Sequence, residues 1–301
     1  MSQFGSPRLE ARFGGPWCSA GLAAAFVAGL LLAPAPATAG QALVLTEAGV
    51  PEVQEAGVAL GQILTDKGEV AELREPLPGD DLGDLTPYDC VFDLRVSTPI
   101  PAQDAQRFSD YAVTGGGMLL LGEHGAFDFR NVTVTGLLNG LGGGVVTTST
   151  FLTTNTLPID IIEPTNPDHF LATECNVVTE VDYDGIANGQ FLNTGNGTWV
   201  TGAPTSACAA LWETGDLTNA PQARVASVLD INFMATGVKG TLDFEVTDRT
   251  IPTQNRAFVG NMVNYLCKLC CGSNMKARLP GTPHAPKSAA SPASPCSPRS
   301  K

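Results

Sequence analysis

The run GGGMLLLGEHGAF contains Gly122-Glu123-His124-Gly125-Ala126 immediately after a short apolar strand. Hydrolases hold a serine on a tight strand-to-helix turn of this spacing, Gly-x-Ser-x-Gly. Here the central residue is His124 and its neighbour is Glu123. A carboxylate beside an imidazole suits proton transfer, with Glu123 as base and His124 as shuttle. Asp93 and Arg95 follow the apolar CVF, and Asp230 and Asn232 follow VASVL. Arg130 and Asn131 lie just beyond the glycine turn, at a helix start whose backbone N–H groups favour anions. In an open parallel sheet such strand ends face one crevice. Converging there, Glu123 or Asp93 would serve as base and Arg95 or Arg130 as an anion clamp, with Asn131, Asp230 and Asn232 as further ligand contacts.

The same residues also have a purely architectural reading. Asp93 would pair with Arg95 or Arg130, Glu123 would bond backbone N–H groups, His124 would pack, and Asp230 and Asn232 would cap turns. A catalytic triad requires a nucleophile and a separate histidine base. The remaining histidines are His169, in the turn-like NPDHF, and His284, near the C-terminus. Cys90 sits inside or just before a strand, not at a turn. With pairing groups present and no nucleophile, architecture plus simple binding takes precedence over catalysis.

No metal or cofactor is expected. A metal on Asp93, His124 and Asp230 has no local ligand spacing behind it. Cys267 and Cys270 in CKLCC form a C-x-x-C, but no second pair completes a zinc site. DYDG, residues 182–185, echoes half a calcium loop and lacks the distal glutamate. NVT at Asn131 and NGT at Asn196 are glycosylation sequons. Trp199 and Trp212 could stack on sugars, but tryptophans in strand-like segments more often belong to the core.

Positioning these groups requires alternating strands and helices. ALVL reads as a buried strand, Pro51 opens a helix with Val53, Ala56, Leu60, Ile63 and Leu64 on one face, and EVAEL is a second strand. YDCVFDLR, a helix opened by Pro101 and MLLL repeat the pattern. RNVTVTGLLNGLGGG is a further helix, with Asn131 as candidate cap and Gly136 as a weak point. After Gly144 the texture turns to Thr, Val and Gly. VVTTSTFLTTNTLPIDIIE, GTWVTGA, CAALWET, ARVASVLDINF and TLDFEV all read as strands. Phe258, Met262, Leu266 and Leu269 restore a helical period at the end.

Residues 1–39 read as a secretory leader: Arg8 and Arg12, a short apolar core, then Ala-Thr-Ala before Gly40. Residues 270–301, rich in Pro, Ser and Ala and basic, read as a disordered tail. The body, residues 40–269, forms one α/β domain with a β-rich insertion at about 145–224. Residues 40–266 hold nine Lys or Arg against 29 Asp or Glu, a net charge of −20. That balance argues against nucleic acid and anionic lipid as partners. No membrane span is expected after leader cleavage, and the location is secreted, periplasmic or cell-envelope. Seven cysteines remain in the mature chain, an odd number in a setting that favours disulfides.

YDCVFDLR, the helix after it, and YAVTGGGMLLLGEHGAF together resemble the class I glutamine amidotransferase-like superfamily, nearest its trehalose-utilisation-type branch. There too a helix ends in a glycine run and a strand delivers a His-containing turn. NRAFVGNMVNYL resembles that branch's Asn-rich last helix. The likeness spans residues 42–142 well and 225–268 loosely. It implies a flavodoxin-like three-layer sandwich around a mostly parallel sheet. The amidotransferase nucleophile is a cysteine where this chain has His124, so glutamine hydrolysis is not expected. The reading is an exported amidotransferase-like protein that binds a small polar or carbohydrate-like ligand or acts as a surface interaction module. The alternatives are a hydrolase or lyase on a sugar-like substrate through Glu123 and His124, and an envelope structural protein with a vestigial site.

Overall fold

The computed structural model describes residues 39–149, 161–183, 188–234 and 254–269. The leader up to residue 38, the tail from residue 270, the TLDFEV strand, the second half of DYDG and residues 150–160 lie outside the described residues.

The chain opens as β1 (Gln41–Leu45), α1 (Pro51–Asp66), β2 (Val70–Arg74), β3 (Cys90–Asp93), α2 (Ala102–Val113) and β4 (Gly117–Leu121). A 3-10 turn at Gly125–Phe127 leads into α3 (Asp128–Gly140). Then come β5 (Val146–Thr148), β6 (Ile162–Pro164), the four-residue α4 (Phe170–Thr173), β7 (Glu180–Asp182), β8 (Phe191–Thr194), β9 (Thr198–Ala203) and β10 (Ser206–Trp212). β11 (Arg224–Val228) and α5 (Gln254–Leu266) close the body.

β1, β3, β4 and β11 carry near-continuous apolar runs because helices cover both faces of the sheet. They pair in parallel, with β2 at one edge, in the order β2-β1-β3-β4-β11. This is the 2-1-3-4-5 winding of flavodoxin-like sheets. Leu119, mid-way along β4, pairs with Phe92 on one side and Ala226 on the other. One helical layer packs α1 and α5 on Val44, Phe92, Leu119 and Ala226. The other packs α2 and α3 on Leu43, Val91, Met118 and Leu120. Alternate residues of one strand thus feed opposite cores, as a two-residue side-chain period dictates.

The β-rich segment mostly continues this sheet. β10 runs antiparallel to β11, β8 to β10, β5 to β8, and β9 pairs on β10. Only β6 and β7 form a separate two-stranded ladder. Trp212 is fully buried against Phe191, and its indole N–H donates to the Thr194 carbonyl at 3.1 Å.

Two local expectations need correction. Asn131 does not cap α3. The helix starts three residues earlier, at Asp128, because the 3-10 turn after β4 already bends the chain, and Asn131 is buried inside the first turn. Pro101 is the residue before α2 rather than its first position.

Cys90 and Cys267 form a disulfide that ties the start of β3 to the end of α5 across 177 residues. Cys175 is disulfide-bonded as well. Gly117 allows α5 to cross β4 closely, since a Cβ there would collide with the Leu266 carbonyl.

Candidate functional site

In this winding the strand order reverses between β1 and β3, and the crevice outside their carboxyl ends is the expected ligand site. Glu47, just past β1, occupies it. Its carboxylate accepts the backbone N–H groups of Val96 (3.0 Å) and Ser97 (2.9 Å) and the Thr98 hydroxyl (2.8 Å). Burial pushes its pKa up, but these donors outweigh burial and hold it below the usual glutamate range. A backbone nest suited to an anion is thus filled by the chain itself.

The next strand end is closed by a buried ion network. Asp93 is fully buried and meets Arg95 at 2.7 Å and Arg130 at 2.9 Å. Arg95 also reaches Asp104 at 2.8 Å, and Arg130 donates to the Leu121 carbonyl at 2.8 Å. Burial alone would raise the pKa of Asp93, yet the two guanidinium charges bring it down to about 2. Asp93, Arg95 and Arg130 therefore come together, facing one another rather than open space.

β4 delivers Glu123 and His124 to the same end of the sheet. Gly122 has no room for a side chain, because a Cβ would strike the Asn131 amide and Leu229. Asn131 grips the turn from α3. Its Oδ1 accepts the Glu123 N–H at 2.9 Å and its amide donates to the Glu123 carbonyl at 2.6 Å. The Glu123 carboxyl accepts the His124 N–H at 3.0 Å and the Ile231 N–H at 3.4 Å. It is 4% exposed, and burial, with the Glu52 carboxylate of the first turn of α1 adding to it, raises its pKa to about 7.

A nucleophile elbow places its central residue on strained backbone. His124 is extended, with φ −60° and ψ 171°, and its Nδ1 accepts the Ala126 N–H at 3.2 Å as a cap on the 3-10 turn. Burial lowers its pKa. The ring packs edge-on against Phe127, 5.1 Å between centroids.

At the end of β11, Asp230 is buried and accepts the Asn232 N–H at 2.7 Å. The antiparallel neighbour β10 brings Cys208 alongside, where the Leu229 N–H donates to the Cys208 carbonyl at 2.9 Å. Asn188 donates to Cys208 Sγ at 3.0 Å and to Glu163 at 3.3 Å. The Tyr183 and Thr201 hydroxyls meet at 2.6 Å. Burial first, then Glu163 and Asp230, push the Cys208 thiol well up, so it stays a thiol and not the reactive thiolate. Sequence reasoning missed Glu47, Glu52, Glu163, Tyr183, Asn188 and Cys208. A polar Thr-Glu pair directly after ALVL was the available sign for Glu47. The Cys208 group draws on β6, β9, β10 and the loops between strands, and left no local pattern.

Chemically, the described residues at this end of the sheet are acidic and hydrogen-bonded and include no activated nucleophile. Among the described residues no group of three or more His, Cys, Asp or Glu is placed to hold a metal ion. Glu123 sets a pH dependence. Its folded pKa lies above the unfolded value of 4.5, so its contribution to stability is complete below about pH 4.5 and is lost as pH rises through about 7. Glu123→Gln should therefore stabilise the protein by roughly 3 kcal/mol above pH 8 and change little at pH 4.5. Urea melts at the two pH values test this, and equal effects at both would refute it.

No family model matches the chain, and no curated protein matches its sequence. Solved structures do resemble it. The mmIFT52 N-terminal domain aligns over 74% of this chain and 96% of its own length, at 10% identity and a TM-score of 0.51. A ThuA-like protein from Bacteroides uniformis aligns over 76% of this chain and 93% of its own, at 15% identity and a TM-score of 0.47. A glutamine amidotransferase from Thermotoga maritima aligns over 76% and 98%, at 11% identity and a TM-score of 0.47. At such identities the shared property is the fold alone, a flavodoxin-like α/β sandwich.

Proposed function

We propose that this is an exported protein of amidotransferase-like fold that has no amidotransferase activity and binds a small polar, carbohydrate-like ligand at the acidic end of its sheet. The observation that carries the reading is His124. The resemblance in sequence gives it the place of the amidotransferase cysteine, and it sits there on unstrained backbone with a ring nitrogen committed to the Ala126 N–H. The buried thiol of Cys208 is protonated and offers no replacement. Glu52, Glu123 and Asp230 make this end of the sheet acidic, which disfavours anions and suits the hydroxyls of a neutral polyol. Export is supported by the leader-like N-terminus and by two cysteines of the body held in a disulfide. That solved structures of this fold carry names as different as an amidotransferase and an IFT52 domain fits a scaffold whose chemistry lies in its site.

The second reading, a hydrolase or lyase acting through Glu123 and His124, draws support from the Glu123 pKa of about 7, which suits a general acid or base near neutrality. One set of measurements separates the two. The oxidised chain is assayed for ammonia release from glutamine and screened by thermal shift against neutral mono- and disaccharides. The binding reading expects no ammonia, a stabilising sugar, and loss of that response in Glu123→Gln at pH 5. Ammonia release would overturn it, and turnover of the stabilising sugar would replace it with the second reading.

A further inference from the structure

Away from this crevice, the last turn of α1, the first turns of α5 and the loop at residues 175–177 line an open groove of about 590 Å³. That is the size of a small-ligand pocket. Lys67 ends α1, and fifteen residues of helix separate it from Glu52, so it lies about 22 Å from the acidic end of the sheet.

The groove's floor is bare backbone at Gly260. A methyl group built there would touch the Lys67 amino group at 3.8 Å and the Asn176 amide nitrogen at 4.0 Å. Two strong donors therefore converge on one spot that carries no side chain. Both are held in place from behind. Asn264 Oδ1 accepts from Lys67 Nζ at 2.8 Å, and Asn261 Oδ1 accepts from Asn176 at 2.9 Å. Asn261 is itself fixed by donating to the Leu171 and Asn176 carbonyls. An ammonium has three N–H donors, so Lys67 keeps two for a ligand. Gln254 and Arg256 complete the rim, and Arg256 reaches Asp66 at 2.9 Å across partly exposed surface.

The local charge is unusual for this chain. Residues 40–266 carry nine cationic side chains against 29 anionic ones, yet among the described residues that line the groove Lys67 and Arg256 stand with one carboxylate, Asp66. Lys67 is bonded to an amide oxygen and not to a carboxylate. Burial and the nearby Arg256 charge both lower its pKa, and a bound anion would relieve that strain. Around the cations the groove offers amides, which suit hydroxyls.

We propose that the groove between α1 and α5 binds a small hydroxylated anion, a sugar acid or sugar phosphate, with Lys67 and Arg256 on the anionic group and Asn176 and Gln254 on hydroxyls. The site is independent of the reading given for the sheet end. The test is calorimetric titration of the full oxidised chain with glucuronate, glucose 6-phosphate, glucose and inorganic phosphate. Glucuronate or glucose 6-phosphate should bind at least about tenfold more tightly than glucose and than inorganic phosphate. Lys67→Met and Arg256→Gln should each weaken that binding about tenfold or more, while Glu123→Gln leaves it unchanged. Arg256→Gln breaks the partly exposed ion pair to Asp66 and leaves α1 itself unaltered, so it reports on binding even where Lys67→Met disturbs the end of α1. Equal affinity for glucose, equal affinity for bare phosphate, indifference to both variants, or no heat up to about 10 mM would each overturn the proposal. Loss of binding in Glu123→Gln would also overturn it, by moving the site to the other end of α1.

Discussion

Asp93→Ala should lower the unfolding free energy by about 3–5 kcal/mol, the largest loss expected from a single side chain here. Asp93 and Arg130 are both 0% exposed, and the carboxylate is the acidic partner that Arg130 meets. Arg95 retains Asp104 when Asp93 is gone, but Arg130 is left as a buried cation among carbonyls. A guanidinium does not escape by losing its proton. For a domain of this size the loss corresponds to a melting temperature about 6–20 °C lower. The control is the exposed pair of Arg107 and Asp81, whose side chains are 38% and 40% exposed and whose removal should change stability by less than about 1 kcal/mol. A second check uses pH. The Asp93 pKa is held to about 2, so the stability it confers is present above about pH 4 and disappears as pH falls through 2. Acid melts of the wild type and of Asp93→Asn should converge at the low end of that window. A loss from Asp93→Ala no larger than that of the surface pair would show that the network is solvated in solution.

The second large effect comes from the disulfide. Cys90 and Cys267 close a loop of 177 residues, everything from β3 to α5, and cross-linking so distant a pair restricts the unfolded chain by about 5 kcal/mol in the chain-entropy picture. Both cysteines are buried, one at the base of the central sheet and one at the end of the last helix. The double variant Cys90→Ala, Cys267→Ala should unfold about 3–5 kcal/mol more easily, and strong reductant should bring the wild type down toward it. Unfolding by guanidinium with and without reductant measures the difference. Coincident curves would mean that α5 stays docked through its apolar face alone, by Phe258, Met262 and Val263.

Periodicity explains what could be read in advance. MLLL and ALVL are apolar at every position because layers cover both faces, and the four-residue recurrence of Phe258, Met262 and Leu266 marks the inner face of α5. The strands after Gly144 were legible one by one, but not their destination. Whether CAALW joins the main sheet depends on its pairing with β11, and nothing within seven residues records a partner. Asn131 shows a further limit. Its type suits a cap, but the three-residue turn at Gly125–Phe127 displaced the helix start, and its amide serves the Glu123 backbone instead. Asp93, Arg95 and Arg130 were recognisable as charges near strand ends. Their mutual enclosure follows from the arrival of α3 beside β3, a contact that no short window of sequence contains.

Glu47 has a consequence for how the fold meets its surroundings. A carboxylate tethered one or two residues past β1 competes for the Val96 and Ser97 amides at a local concentration that no dissolved ion reaches. The reversal point of the sheet is therefore self-sufficient, and added sulfate is expected to leave its shape unchanged. A ligand that arrives at this end of the sheet therefore meets no empty phosphate seat at the Val96 and Ser97 amides.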